Sequence, residues 1–335
     1  MIVKGAVTKM AFQNRVTKML GIKYPIMQGG MQNLANPRLA AAVSNAGGLG
    51  TINISMWPNH DDFREAVKQT KSLTDKPMCV NISMLPHAEI SDDITGYVKI
   101  CGEEGVEVIE TSGKNPAELV PLIHSCGIKL IHKVPAVKHA LKAETVGADI
   151  VSIVGAEAAG HPSPDLIGAV ILGAKAAGKL KIPYLMGGGV ADGRGFAAML
   201  ALGAEGVVMG TRFVACSDCG VSENHKQWIV NASEQDTILC QRAIKNMIRA
   251  AGNAAALECL EMEKNSGVTL QDLMPLISGA VGKAAYESGD TSKGIFPVGQ
   301  NIGIINSIKS ASQIIGDMVA EASAIIGTLE VLRNA

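Results

Sequence analysis

The sequence predicts a (β/α)8 TIM barrel with a helical insertion after strand eight, and three observations lead there. Eight strand-like runs rich in Val, Ile and Leu recur near 25–29, 48–53, 77–83, 106–111, 129–134, 148–154, 183–187 and 206–210. Ala-rich helical segments alternate with them, which is the pattern of a parallel sheet with helices packed on it. Several of the strands close in glycine-rich or polar turns, such as Pro25-Ile-Met-Gln-Gly-Gly-Met31, Ala158-Ala-Gly-His161, Met186-Gly-Gly-Gly189 and Val208-Met-Gly-Thr-Arg212. In a barrel those turns share one rim, the face that carries chemistry. An open doubly wound sheet is the rival, but it usually has fewer strands and opens with G-x-G-x-x-G, which is missing after the first strand.

Helices are expected to begin around Asn36, Pro58, Ser91, Asn115, Ala136, Pro164 and Asp192. Asn36-Pro37 and Asn115-Pro116 pair a capping side chain with a proline suited to the first turn, and Asp192 is a good N-cap. After Phe213 the alternation stops. Helical stretches are expected at 234–251, 254–264 and 270–278, and the segment 302–332 supplies the last outer helix, its periodicity broken by Gly316 and Gly327. The organisation expected is therefore a barrel from 1–213 and 301–335, with 214–300 inserted near its mouth. The 335 residues exceed the roughly 250 of a simple barrel, which leaves room for that insertion.

Composition narrows the function. Hydrophobic residues make up 47% and charged residues 18%, enough apolar material for a large core. With 30 basic and 31 acidic side chains the net charge is −1, so no global field draws nucleic acid or an anionic membrane, and small-molecule substrates are expected. No apolar run reaches the roughly 18 residues of a membrane span. The first 60 residues contain no Asp or Glu, a faint transit-peptide character, but they run straight into the first strand. Seven cysteines, an odd number scattered through apolar stretches, suit reduced thiols in the cytoplasm. Cys216-Ser-Asp-Cys219 has no second pair at metal spacing, and no metal site is expected.

Chemistry is expected on the rim. Gly187, Gly188 and Gly189 after strand seven, with Gly210 and Thr211 after strand eight, let backbone N–H groups approach phosphate oxygens; the plainer alternative is that they only make tight turns. Lys133 ends strand five, where a cation could steady negative charge on a reduced cofactor or its phosphate, while His132 points to the opposite face and is structural. His161 follows strand six among small residues and prolines, placed for proton transfer or for orienting a substrate. Asp165 reads as a helix-start residue and Glu157 as a solvated or turn-supporting carboxylate. Pro86-His87 after strand three could belong to a mobile gate.

These motifs, together with Ile131-His-Lys133, His139-Ala-Leu-Lys-Ala-Glu144, Ala191-Asp-Gly-Arg-Gly195 and Met209-Gly-Thr-Arg-Phe213, resemble the FMN-dependent nitronate monooxygenase family, closest to its bacterial NADH:quinone reductase branch. The family also includes flavin enoyl-acyl-carrier-protein reductases. The resemblance implies a barrel binding FMN. Gly30, Met31 and Gln32 would lie by the flavin, Asn81 and Lys133 would meet its ring or ribityl chain, and Ala159 and Gly160 would line its face. Gly187, Gly189, Gly210 and Thr211 would hold the phosphate, His161 matches the active-site histidine, and Gln300 would reach the flavin from before the last helix.

Two departures stand out: Gly187 replaces the Ser or Ala common in relatives, and Pro162 replaces a glycine, which favours the quinone-reductase branch over nitronate oxidation. The expected reaction is ping-pong hydride transfer from NADH or NADPH through FMN to a quinone. Nitronate oxidation with oxygen, enoyl-thioester reduction and a flavin-free phosphate-binding lyase or isomerase are the alternatives. A homodimer is left open.

Overall fold

A computed structural model describes residues 12–84 and 91–334. Pro86-His87 lies outside the described residues. The barrel strands are β1 (Ile26–Gln28), β2 (Gly50–Asn53), β3 (Met78–Ser83), β4 (Val108–Ser112), β5 (Lys129–Val134), β6 (Ile150–Val154), β7 (Tyr184–Gly187) and β8 (Val207–Met209). β2 to β8 pair in parallel in sequence order, β8 pairs with β1, Ile26 opposite Val207, and a parallel bridge between Met27 and Leu49 joins β1 to the segment entering β2, so the sheet closes.

The helices before and between them are α1 (Arg15–Leu20), α2 (Pro37–Asn45), α3 (His60–Leu73), α4 (Asp92–Glu103), α5 (Val120–Ser125), α6 (Val137–Val146), α7 (Ala169–Ala176) and α8 (Gly193–Ala201). Their starts follow the caps: Asn36 accepts from the Leu39 N–H with Pro37 in the first turn, Ser91 from Ile94, and Asp192 from Gly195. The helix after β6 departs from expectation. It begins at Ala169, and Asp165 does not start it; Glu157 reaches across the loop to accept from the Ala169 N–H at 3.0 Å, so it is the turn-supporting carboxylate.

Beyond β8 come α9 (Thr211–Val214), α10 (Glu223–Asn231), β9 (Thr237–Cys240), β10 (Ile248–Ala251), α11 (Ala254–Met262), α12 (Leu270–Ile277), α13 (Gly279–Ser288) and α14 (Ala311–Asn334). The helix expected over 234–251 is instead an antiparallel β9–β10 hairpin, with Ile248 opposite Cys240. β-Branched residues at its ends and a small core of Cys240, Ile248, Ala256, Cys259, Leu273 and Ile295 decide this, tertiary burial overriding helical propensity. Helix α14 packs on α8 and α2, where the Glu321 carboxylate accepts from the Gly193 N–H at 2.7 Å.

Register sorts the barrel interior into layers of four side chains drawn from alternate strands, as closure with a tilted sheet requires. Met27, Cys79, Ile131 and Leu185 form an apolar layer, sealed from below by Leu49, Val108, Ile150 and by Val16 and Leu20 of α1. Above it stand Thr51, Glu110, Ser152 and Val208, then Gly29, Asn81, Lys133 and Gly187. The interior thus passes from hydrocarbon to polar and glycine-lined over three layers. On the outside, Gly50 lets α2 lie directly on β2, since an added Cβ would strike the Ala40 carbonyl. Gly50→Ala is expected to lower unfolding free energy by about 1–3 kcal/mol or more, seen as a reduced denaturant midpoint with unchanged slope.

Candidate active site

The C-terminal ends of the barrel strands open into a cavity of about 1460 Å³. Its floor is made by backbone. An added Cβ at Gly30 would run into the Asn81 amide, and at Gly187 it would come 2.7 Å from Val208. Gly188 holds φ +91°, a conformation that side-chain-bearing residues rarely adopt. Among the described residues, the N–H groups of Gly188, Gly210 and Thr211 donate to no protein acceptor, while the Thr211 hydroxyl accepts from the Gly299 N–H at 3.0 Å. Free N–H donors where glycines leave the backbone uncovered suit anionic oxygens.

Beneath the floor runs a buried polar chain. Asn53 donates to the Asn81 oxygen at 2.9 Å, Asn81 donates to Glu110 Oε2 at 2.5 Å, and Lys133 Nζ meets that same oxygen at 3.1 Å. Asn81 and Glu110 are fully buried, whereas Lys133 extends into the cavity. His132 points away from Lys133 as expected, pairing its Nδ1 with Thr111 at 2.8 Å, and contributes to the cavity wall.

The loop after β6 is fastened by the hairpin. Arg249 and Gly160 exchange two backbone hydrogen bonds, at 3.1 and 2.7 Å, and the Arg249 guanidinium donates to the Ala156 carbonyl at 2.9 Å. His161, next to that clamp, keeps an exposed flank at the mouth. Crowding by surrounding protein lowers its pKa, a hydrogen bond with Asn246 opposes the shift, and the charge of Lys133 adds to it. Its imidazole is therefore neutral near pH 7.

Of the residues expected in the site, Gly30, Met31, Gln32, Lys133, Ala159, Gly160, His161, Gly187, Gly188, Gly210 and Thr211 line the cavity. Three expected there do not. Asn81 lies under the floor, held by its amide bonds; Gly189 falls behind Gly188 in the turn; and Gln300 is tied by its N–H to the Glu157 carbonyl at 2.9 Å. Asn301 takes the wall position instead, its amide donating to Val190 at 2.7 Å. Residues given no role in the site from the sequence are Glu110, the clamp Arg249, His139 and Lys142 of α6, and Arg242 and Lys245 of the hairpin turn. A carboxylate inside the apolar run 106–111 was the available signal for the first. No Asp or Glu lines the cavity among the described residues, and none pairs with Lys142, Arg242 or Lys245.

A family model described as nitronate monooxygenase matches residues 13–321. The chain belongs to the nitronate monooxygenase family. It is an oxidoreductase of that family. A (3aS,4S,5R,7aS)-5-hydroxy-7a-methyl-1-oxo-octahydro-1H-indene-4-carboxyl-CoA dehydrogenase of Rhodococcus jostii strain RHA1 is 30% identical, covering 95% of this chain and 98% of its own length. A "Probable nitronate monooxygenase" of Staphylococcus saprophyticus is 31% identical over 69% of this chain and 76% of its own. The solved structure of FabK from Thermotoga maritima superposes with a TM-score of 0.88 and 37% identity, covering 96% of this chain and 99% of that one.

Burial makes one residue here a pH sensor of stability. Desolvation foremost, then the charges of Lys133 and His139, push the His132 pKa from 6.5 to about 4, against the Thr111 hydrogen bond. The unfolded chain therefore binds the extra proton first, and stability falls as pH drops from about 6.5 to about 4, by up to roughly 3 kcal/mol from this group. His132→Asn should flatten that part of a denaturant-midpoint profile against pH.

Proposed function

We propose that the chain is an FMN-dependent oxidoreductase that uses NADH or NADPH to reduce an unsaturated acyl thioester carried on a phosphate-bearing group such as coenzyme A. The observation that carries the reading is the cavity's charge: a wall of described residues free of carboxylates, with Lys142, Arg242 and Lys245 unpaired at its mouth. Such a mouth suits long anionic ligands, the pyrophosphates of nicotinamide nucleotides and of coenzyme A alike. The Rhodococcus relative acts on a CoA ester by its name, which supports the same class.

The residues fit the cofactor. The free N–H groups of Gly188, Gly210 and Thr211 would hold the FMN phosphate, and a flat ring would lie against the backbone of Gly29, Gly30 and Gly187 at the cavity wall. Gly189 and Gln300 would support those turns through the backbone. Lys133 would steady negative charge at the ring edge, and Met31, Gln32, Ala159 and Gly160 would enclose it. When bound, FMN supplies two-electron transfer between a nicotinamide and a second substrate at one shared face. His161, neutral at the mouth, would donate a hydrogen bond to the thioester carbonyl and so orient the acyl chain.

A quinone makes no use of the cationic mouth in its own half-reaction, and a nitronate needs no room for a nucleotide tail; a quinone as electron acceptor and a nitronate as electron donor are the rival readings.

Yellow protein reduced anaerobically by NADH or NADPH is expected to be reoxidised by crotonyl-CoA. The double variant Arg242→Glu, Lys245→Glu should raise KM for crotonyl-CoA about tenfold or more with little change in kcat, and less so at high salt. Turnover with menadione alone, or flavin reduction by a nitronate and not by a nicotinamide, contradicts the proposal.

A further inference from the structure

We infer that Glu110, which never reaches the cavity, governs the charge presented at its floor: it neutralises and positions Lys133, and so sets how strongly the site favours negative charge on a flavin. The inference rests on the FMN reading above and concerns a residue that this reading leaves without a role.

Glu110 is fully buried on β4, in the layer directly below Lys133 and Asn81, and each of those two neighbours bonds the same oxygen, Oε2. Asn81 can present its NH2 group to the carboxylate because its own oxygen accepts from Asn53 and from the Ser83 hydroxyl, at 2.9 and 3.1 Å. That arrangement fixes which way the amide faces, and hence where the carboxylate sits. Lys133 has Glu110 as its one carboxylate within ion-pair distance among the described residues, so the charge it shows to the cavity is what this pair leaves uncancelled.

The other oxygen, Oε1, has no hydrogen-bond partner. Neither has the Ser152 hydroxyl of the same layer, and the Thr51 hydroxyl has only the weak thiol of Cys79 beside it. Three buried polar groups from alternate strands in one layer suit one enclosed water, which typically makes about three hydrogen bonds. Such a water would complete the carboxylate's shell without adding charge, leaving Lys133 as its counter-ion. The layer above an apolar barrel floor is thus built around a single carboxylate, one step removed from any ligand.

The test uses FMN-loaded protein and sulfite, an anion that adds to oxidised flavin and bleaches it, more tightly where the surroundings are more positive. Glu110→Gln keeps the shape and the Asn81 contact but leaves Lys133 uncompensated, so the sulfite Kd should fall about tenfold. Lys133→Met should raise it by at least the same factor. Opposite shifts are the signature of charge coupling; an unchanged Kd in Glu110→Gln, or shifts in the same direction, overturns the inference. If Glu110→Gln fails to fold, Glu110→Asp decides: it draws the carboxylate back from Lys133 by one methylene, and the Kd should fall by a smaller factor, with no change again fatal. Wild-type protein that retains no flavin would fault the FMN reading instead, a result distinct from either.

Discussion

Closure of eight parallel strands is the constraint on which the rest depends. Once β8 pairs with β1, every second side chain must point into a space that admits only four at each level, so the choice of residue at each level decides whether that level is solid or open. Met27, Cys79, Ile131 and Leu185 fill theirs with hydrocarbon. Two levels higher, Gly29 and Gly187 carry no side chain, a Cβ at either meeting Val208 from the level below, and the level is polar on the other sides through Asn81 and Lys133. The cavity begins above that level, and the glycines put backbone on part of its wall.

The segment after β8 turns the open end into an enclosed one. Its hairpin bonds through Arg249 to the Gly160 backbone and to the Ala156 carbonyl, so the histidine-bearing loop is held at two points. The same hairpin carries Arg242 and Lys245 to the mouth. One hairpin therefore both fastens the loop that bears His161 and brings two cations to the cavity. A rigid scaffold with adaptable turns is how barrels support many reactions, and selectivity here would reside in the hairpin turn and not in the strands.

Much of this was legible in the residues themselves. The strand count, the rim on which Gly30, Lys133, His161, Gly188 and Thr211 meet, and the caps at Asn36 and Asp192 all follow from local rules that the tertiary structure does not override. The hairpin was not, because 237–251 owes its extended form to burial against α11 and α12, and its own composition would serve a helix equally well. The helix after β6 starts at Ala169 because a carboxylate from across the loop, Glu157, caps it; no nearest-neighbour rule contains that contact. Asn81 and Gln300 were drawn into the site by motif alone, whereas neither lines the cavity, Asn81 being fully buried in the barrel. Glu110 shows the reverse: a carboxylate hidden in an apolar strand matters because of which side chains the register sets one level above it.

On the proposed reading, turns after β7 and β8 clasp a phosphate through free backbone N–H groups and so fix a flat cofactor against the glycines. The most direct measurement is the affinity of cofactor-stripped protein for FMN and for riboflavin, followed by quenching of flavin fluorescence. Charged hydrogen bonds of this kind are each worth about 1.5–3 kcal/mol, so FMN should bind at least about a hundredfold more tightly than riboflavin. Equal affinities for the two would contradict the account.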